Sequence, residues 1–72
     1  MRYTTPMYIN CNGRQQPISD TTTLQDLLRE LDLAPDNVVA EINTKIIDRD
    51  QYETLRLSDG DQVELIRFVG GG

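Results

Sequence analysis

The sequence contains no histidine and only one cysteine, Cys11, which has no partner for a disulfide within the chain. Histidine is the commonest metal ligand and the usual base of hydrolytic triads, so its absence excludes most zinc sites and triad catalysis. No other pairing of a nucleophile with a base stands out along the chain. We therefore expect no catalytic residues, no metal site and no bound cofactor.

Long apolar runs and concentrated basic charge are also missing. No segment is long and apolar enough to cross a bilayer, and no signal-peptide pattern opens the sequence. Seven Lys and Arg residues, scattered singly, stand against twelve Asp and Glu residues, for a net charge of −5. Nucleic-acid binding needs a basic stripe, so we expect no nucleic-acid partner. Because no segment could span a bilayer, we expect no membrane partner either. An acidic surface favours basic protein partners, and the reducing cytoplasm is the expected location.

The chain of 72 residues is long enough for one domain, close to the lower limit for a single hydrophobic core. The pattern divides it into an unpatterned lead-in at 1–6, a folded domain at 7–69 and a glycine tail at 70–72. We expect the tail to be flexible.

The folded part opens with the pattern of a β-hairpin. Apolar and polar residues alternate over 7–11, which predicts a half-buried strand with Cys11 as a small buried hydrophobe. Asn12-Gly13 is a strong signal for a type I′ turn, which needs positive φ at both positions. The return strand, at about 14–18, contains Pro17 and should therefore lie at a sheet edge.

One amphipathic helix follows. Four leucines share one helix face at spacings i, i+3, i+4 and i+7: Leu24, Leu27, Leu28 and Leu31. Thr22 and Gln25 have the spacing of a capping box, and Pro35 sets the latest end of the helix. Burial of four leucines would contribute roughly 1.5–3 kcal/mol each.

Three further strands are predicted, at 38–42, 46–48 and 62–69, with a tight turn at 58–61. The last strand is apolar on both faces, which favours a central position. The order β-β-α-β-β-β places one helix across one face of a mixed sheet, with the first and last strands as parallel neighbours. The fold class is therefore α+β, with the β-grasp (ubiquitin-like) arrangement of four to five strands and one helix.

Several segments in this order resemble the ThiS family of bacterial thiamine-biosynthesis sulfur carriers. They are Cys11-Asn12-Gly13, the leucine helix, the segments 46–52 and 57–64, and the end Phe68-Val69-Gly70-Gly71-Gly72. The resemblance covers about residues 7–72. The family often has glycine after the residue matching Asn43; here Thr44 stands there. A β-branched residue disfavours positive φ, so we expect another turn type.

The resemblance implies a reaction at the C-terminus. An adenylating enzyme related to ubiquitin-activating enzymes would use ATP to activate the Gly72 carboxylate. Sulfur from a donor such as a cysteine desulfurase would then give a thiocarboxylate, with thiazole synthase as the sulfur acceptor. Gly70 and Gly71 would thread the partner's channel, because glycine has no Cβ.

A partner-docking surface is expected beside this tail. In a regular last strand Ile66 and Phe68 face away from the helix, with Val39 and Tyr8 nearby, and such an exposed apolar patch indicates docking. A bulge in the strand, or packing of Phe68 under the lead-in, would give a different surface. Asp59 and Asp61 fit local bonding within their turn better than a metal or acid–base pair.

Four other readings stay open from the sequence. The small subunit of molybdopterin synthase is a sister family, and another sulfur carrier is possible. A ubiquitin-like modifier would share the adenylation step and then join Gly72 to lysines. A plain β-grasp interaction module would have an inert tail.

Overall fold

The computed structural model describes residues 6–68, so the predictions for residues 1–5 and for the glycine tail lie outside the described residues. Five strands and one α-helix are described: β1 (Met7–Cys11), β2 (Arg14–Ile18), α1 (Leu24–Glu30), β3 (Val38–Ile42), β4 (Lys45–Ile46) and β5 (Gln62–Arg67), with short 3-10 helices at Pro35–Asn37 and Arg49–Gln51. The strand order is β2-β1-β5-β3-β4, with β1 and β5 parallel and the other pairs antiparallel. This confirms the predicted β-grasp arrangement. Within residues 6–68, no helix is long and apolar enough to cross a membrane.

The first hairpin forms as predicted. Asn12 and Gly13 have φ values of 51° and 82°, as a type I′ turn requires. β2, which contains Pro17, is an edge strand. Cys11 faces the core and is buried.

The helix begins one residue later than predicted. Thr23 is the N-cap: its Oγ1 accepts from the Asp26 N–H at 3.1 Å, and the Asp26 carboxylate accepts from the Thr23 N–H at 3.0 Å. The predicted capping box of Thr22 and Gln25 is therefore wrong, because the Thr22 hydroxyl accepts from the Ser19 N–H in the preceding turn. The hydrogen bond from the Thr23 N–H holds the pKa of the Asp26 carboxyl below its ordinary value.

The helix ends in a way that exposes the last of its four leucines. Leu31 is the C-cap and is 37% exposed. Asp32, with φ at 59°, turns the chain so that its N–H bonds to Arg29 O and the Leu33 N–H to Leu28 O, the two bonds of a Schellman motif. Leu33 thereby packs against the core, where Leu31 was expected. The leucines that α1 buries are three: Leu24, Leu27 and Leu28.

The core lies between α1 and one face of the sheet. Its fully buried side chains come from three strands and the helix: Ile9, Leu24, Leu27, Leu28, Val38 and Val63. Tyr52 enters this core and is 3% exposed; its hydroxyl donates to Val38 O at 3.0 Å and accepts from the Ala40 N–H at 3.1 Å. The Arg49 Nε–H donates to Pro35 O at 3.1 Å. Both side chains therefore hold the fold together through bonds to backbone atoms of other segments.

Two strand boundaries differ from the prediction. β4 spans Lys45–Ile46 rather than 46–48, because the chain enters a 3-10 helix at Arg49. β5 ends at Arg67, because Arg67 lies opposite Val38, the first residue of β3; Phe68 is no longer in the strand, and the predicted end at residue 69 lies outside the described residues.

The turn between β3 and β4 also differs. Asn43 and Thr44 have φ values of 51° and 74°, so the expectation that Thr44 avoids positive φ is wrong. A two-residue link between antiparallel strands favours this geometry. The Asn43 side chain helps to hold it, because Oδ1 accepts from the Gln62 N–H at 2.9 Å.

The strain at Thr44 yields a test. Thr44→Gly should raise the free energy of unfolding by about 0.5–1 kcal/mol, because glycine adopts positive φ without the clash of a β-branched residue. Thr54→Gly is the matched control at an exposed turn position without positive φ, and it should be neutral or destabilising. Urea denaturation measures both; equal loss of stability in the two variants would contradict this account of the turn.

Candidate functional site

The candidate site is the end of β5 together with the sheet face that points away from α1, called here the outer face. Phe68 is the last described residue, and residues 69–72, which include the predicted modification site Gly72 and the predicted channel residues Gly70 and Gly71, lie outside the described residues. The geometry below therefore concerns the surface from which this segment continues.

The facing of β5 agrees with the alternation in its sequence. Val63 and Leu65 point into the core, at 1% and 8% exposure, whereas Ile66 and Phe68 are 53% and 44% exposed. Val39 lies opposite Ile66 on the neighbouring strand and is half-buried. The pairing between the two strands is continuous over residues 38–42 and 63–67, so no bulge interrupts it. The three predicted docking residues thus lie on adjacent strands at the exit end of β5.

Tyr8 does not belong to this group. It lies on the outer face but at the opposite end of β5, where its backbone oxygen accepts from the Gly60 N–H at 2.7 Å. The expectation that it neighbours Ile66 is wrong, because β1 runs parallel to β5 in a register that sets Asn10 beside Gln62.

Two carboxylates give the outer face its charge. Glu41 and Glu64 lie opposite each other in the β3–β5 pair, next to the pair of Val39 and Ile66. Like charges directly opposite on a sheet destabilise it. Among residues 6–68 the one ion pair, Asp26–Arg29 at 3.5 Å, lies on the helix and leaves this pair of glutamates unneutralised. The outer face is therefore an acidic and apolar surface.

The two aspartates of the turn before β5, Asp59 and Asp61, are engaged in the fold. The Asp61 carboxylate accepts from the Ser58 N–H at 2.8 Å, which is the local turn bond expected for it. Asp59 instead accepts from the Tyr8 N–H at 2.8 Å, across the sheet. No group of three side chains suited to a metal ion occurs within the described part of the chain.

Cys11 does not add a sulfur nucleophile to the site. It is 7% exposed, and burial raises the pKa of its thiol. A neutral, buried thiol reacts slowly, since the thiolate is the nucleophile. The prediction of a structural, buried cysteine agrees with this position.

One contact at the site was missed by reasoning from the sequence. Asn12 was predicted only as a turn residue, but its side chain bonds to the backbone of Leu65 in β5. The sequence did show the residue that makes this contact, an asparagine in the turn whose side chain can both donate and accept a hydrogen bond. Its partner, however, lies 53 residues away, and only the register of β1 and β5 brings them together.

Comparison with known proteins gives consistent results. A sequence model described as the ThiS family matches residues 7–72. The sulfur carrier protein ThiS of Bacillus subtilis (strain 168) is 43% identical over 53 residues, which cover 74% of this chain and 80% of that protein. The crystal structure of a thiamine biosynthesis protein (ThiS) from Geobacter metallireducens is similar with a TM-score of 0.75 and 29% identity, covering 92% of this chain and all of that one.

A longer protein also matches. The thiazole synthase of Magnetococcus marinus is 38% identical over 66 residues, which cover 92% of this chain. The matched stretch is only 20% of that protein, so this chain spans about a fifth of its length.

The two faces of β5 can be tested by one pair of adjacent variants. Leu65→Asp should cost several kcal/mol of stability and unfold much of the protein, because it buries an unpaired charge in the core. Ile66→Asp should cost about 1 kcal/mol or less, since the side chain is exposed. Circular dichroism during urea denaturation measures both, and similar losses would refute the assigned facing.

Proposed function

The chain belongs to the ThiS family, and we propose that it is a sulfur carrier whose C-terminal carboxylate, on Gly72, is adenylated and then converted to a thiocarboxylate. The observation that carries the proposal is the family match over residues 7–72, which includes the three terminal glycines. The proposed destination of the sulfur is the thiazole of thiamine. In this role the chain is a protein co-substrate, and its partners supply the catalysis.

The chemistry takes place in two steps. A carboxylate oxygen of Gly72 attacks the α-phosphorus of ATP, and pyrophosphate leaves, which gives an acyl-adenylate. Sulfur from the donor then attacks the acyl carbon, either as hydrosulfide or as a persulfide whose S–S bond is afterwards reduced by a thiol, and AMP leaves with the oxygen that joined it to the carboxyl group. The net change at Gly72 is one oxygen replaced by one sulfur. When that sulfur passes to the acceptor, an oxygen from water or from the acceptor takes its place at the acyl carbon, which restores the carboxylate.

The glycines suit this reaction for a steric reason. Without a Cβ, Gly70 and Gly71 can pass a narrow channel, and the acyl carbon of Gly72 is open to attack. Four residues follow Phe68, and at ~3.3–3.6 Å per residue they span at most about 14 Å when extended. The reacting carboxylate is thus kept within a short radius of the outer face.

The proposed partners are three. The first is an adenylating enzyme of the ubiquitin-activating type, which uses ATP, and the second is a sulfur donor such as a cysteine desulfurase; both rest on family membership alone. The third is thiazole synthase as acceptor, which gains support from two proteins named thiazole synthase that contain a stretch similar to this chain. Use of ATP and of a reduced sulfur species favours a cytoplasmic location.

Docking is proposed to use Val39, Ile66 and Phe68. These side chains offer exposed apolar area at the point where the tail leaves the sheet. Glu41 and Glu64 lie beside them, so the matching surface of a partner should combine apolar side chains with lysine or arginine. Such a partner would also relieve the repulsion between the two carboxylates.

A mass measurement tests carrier against modifier. The protein is incubated with ATP, its adenylating enzyme and a sulfur source, and its intact mass is taken. We expect a species heavier by the difference between one sulfur and one oxygen, which returns to the original mass when a sulfur acceptor is added. Stable adducts through lysine, without any sulfur-bearing species, would favour the ubiquitin-like modifier instead.

ATP–pyrophosphate exchange separates the role of the tail from that of the docking residues. Deletion of Gly72 should abolish exchange without loss of stability, because the carboxylate is then one residue short of the adenylating site. Gly71→Val should act similarly through steric exclusion. Ile66→Asp, by contrast, should mainly raise KM for the carrier, because it weakens binding and leaves the tail intact. Unchanged exchange by the truncated protein would refute the proposed use of Gly72.

A further inference from the structure

Two asparagines hold the two ends of β5 through their side-chain oxygens, while the Nδ2 of Asn12 donates to a β5 carbonyl and that of Asn43 to the Asp61 carboxylate. Asn12 and Asn43 are each the first residue of a two-residue turn, and each has a φ of 51°. The Asn43 Oδ1 accepts from the Gln62 N–H at 2.9 Å, at the start of β5. The Asn12 Oδ1 accepts from the Leu65 N–H at 2.8 Å, near its end. The pair therefore offers a natural comparison between the entry and the exit of one strand.

The Asn12 side chain takes the place of a backbone hydrogen bond in the β1–β5 ladder. The Asn10 N–H bonds to Asp61 O and the Asn12 N–H to Val63 O, which is the regular parallel pattern. The next partner of the Leu65 N–H would be a backbone carbonyl of β1, but the chain turns into the hairpin there. The carboxamide of Asn12 occupies this place, since its Nδ2 also donates to Leu65 O at 3.2 Å.

Beyond Leu65, the hydrogen bonds described for the strand come from its other side. Arg67 lies opposite Val38 in the pairing with β3, and the Phe68 N–H donates to Asn37 O at 2.9 Å. Asn12 is thus the contact on the β1 side nearest to the exit. If it were lost, the last residues of β5 would be held along one edge only and could swing about that edge.

We propose that Asn12 is a positioning residue, which sets the direction in which the chain leaves the sheet towards Gly72; this inference rests on the proposed function. A small change in this direction is enough to displace the reacting carboxylate. When the four residues after Phe68 are extended in the partner's channel, over at most about 14 Å, a change of about 30° in the direction in which they start moves their end by roughly 7 Å. Misplacement of a reacting group by even 1 Å can slow a reaction about a hundredfold.

The test compares Asn12→Gly with Asn43→Gly. Glycine keeps the positive φ of both turns, so each variant loses its side-chain hydrogen bonds without a strained backbone. Urea denaturation should show similar losses of stability for the two. In ATP–pyrophosphate exchange with the adenylating enzyme, Asn12→Gly should lower kcat about tenfold or more with KM within about threefold, while Asn43→Gly should leave both within about threefold.

A structural readout accompanies the kinetics. Amide hydrogen exchange followed by NMR should show at least tenfold faster exchange of the Leu65 amide in Asn12→Gly. The exchange rate of the Phe68 amide should rise by no more than the overall loss of stability in that variant accounts for. Asn12→Asp keeps an acceptor for the Leu65 N–H but cannot donate to Leu65 O, so it should recover part of kcat.

The outcomes are distinguishable. If the unaltered protein supports exchange and the two glycine variants lower kcat equally, Asn12 has only a structural role and this inference is overturned. The same holds if Asn12→Gly changes KM alone, because that result would place the residue in docking. If the unaltered protein supports no exchange at all, the proposed function fails and the inference fails with it.

Discussion

The structure depends on the need to pair both edges of β5. As the central strand of a five-stranded sheet, it has backbone N–H and C=O groups pointing both ways, and buried groups of this kind must find partners. β1 supplies them on one side in parallel and β3 on the other in antiparallel orientation. Where β1 turns away, the Asn12 carboxamide takes over, and where β3 begins, Asn37 O receives the Phe68 N–H. The same strand thereby carries the core on one face and an exposed surface on the other.

Most of the fold could be predicted because its signals are local. Alternation over residues 7–11, the Asn12-Gly13 turn and the leucine spacing each need only a few neighbouring residues, and each indicated the correct element. The errors arose where two local solutions compete. Thr22 and Thr23 are both possible caps, and the N3 aspartate decides between them. Leu31 fits the helical stripe, but the Schellman motif at the C-terminus of the helix packs the partly buried Leu33 against the core instead.

The candidate site was predictable to the extent that it depends on the alternation of side chains between the two faces of a strand. Ile66 and Leu65 were assigned to opposite faces from alternation alone, and the exposures agree. Contacts that depend on the register between distant strands were not predictable in this way. Tyr8 was therefore placed near Ile66 in error, and the bond between Asn12 and Leu65 was missed. The error at Thr44 has a third cause, because the strands that the turn connects impose the strained φ of this residue.

The burial of Cys11 keeps a nucleophilic thiol away from the C-terminal carboxylate that is activated in the proposed reaction. An acyl-adenylate reacts with any nucleophile within reach, including those of the molecule that bears it. This chain offers few strongly nucleophilic side chains: it has no histidine, one cysteine and a single lysine, Lys45. The thiol is enclosed in the core, and burial raises its pKa. Lys45 lies in β4 opposite Ile42 of β3, which in turn lies opposite Val63 near the start of β5, so the lysine is at the end of the sheet away from the exit of β5. On the proposed mechanism neither the buried thiol nor this lysine competes for the activated end, which is left for the sulfur that a partner brings.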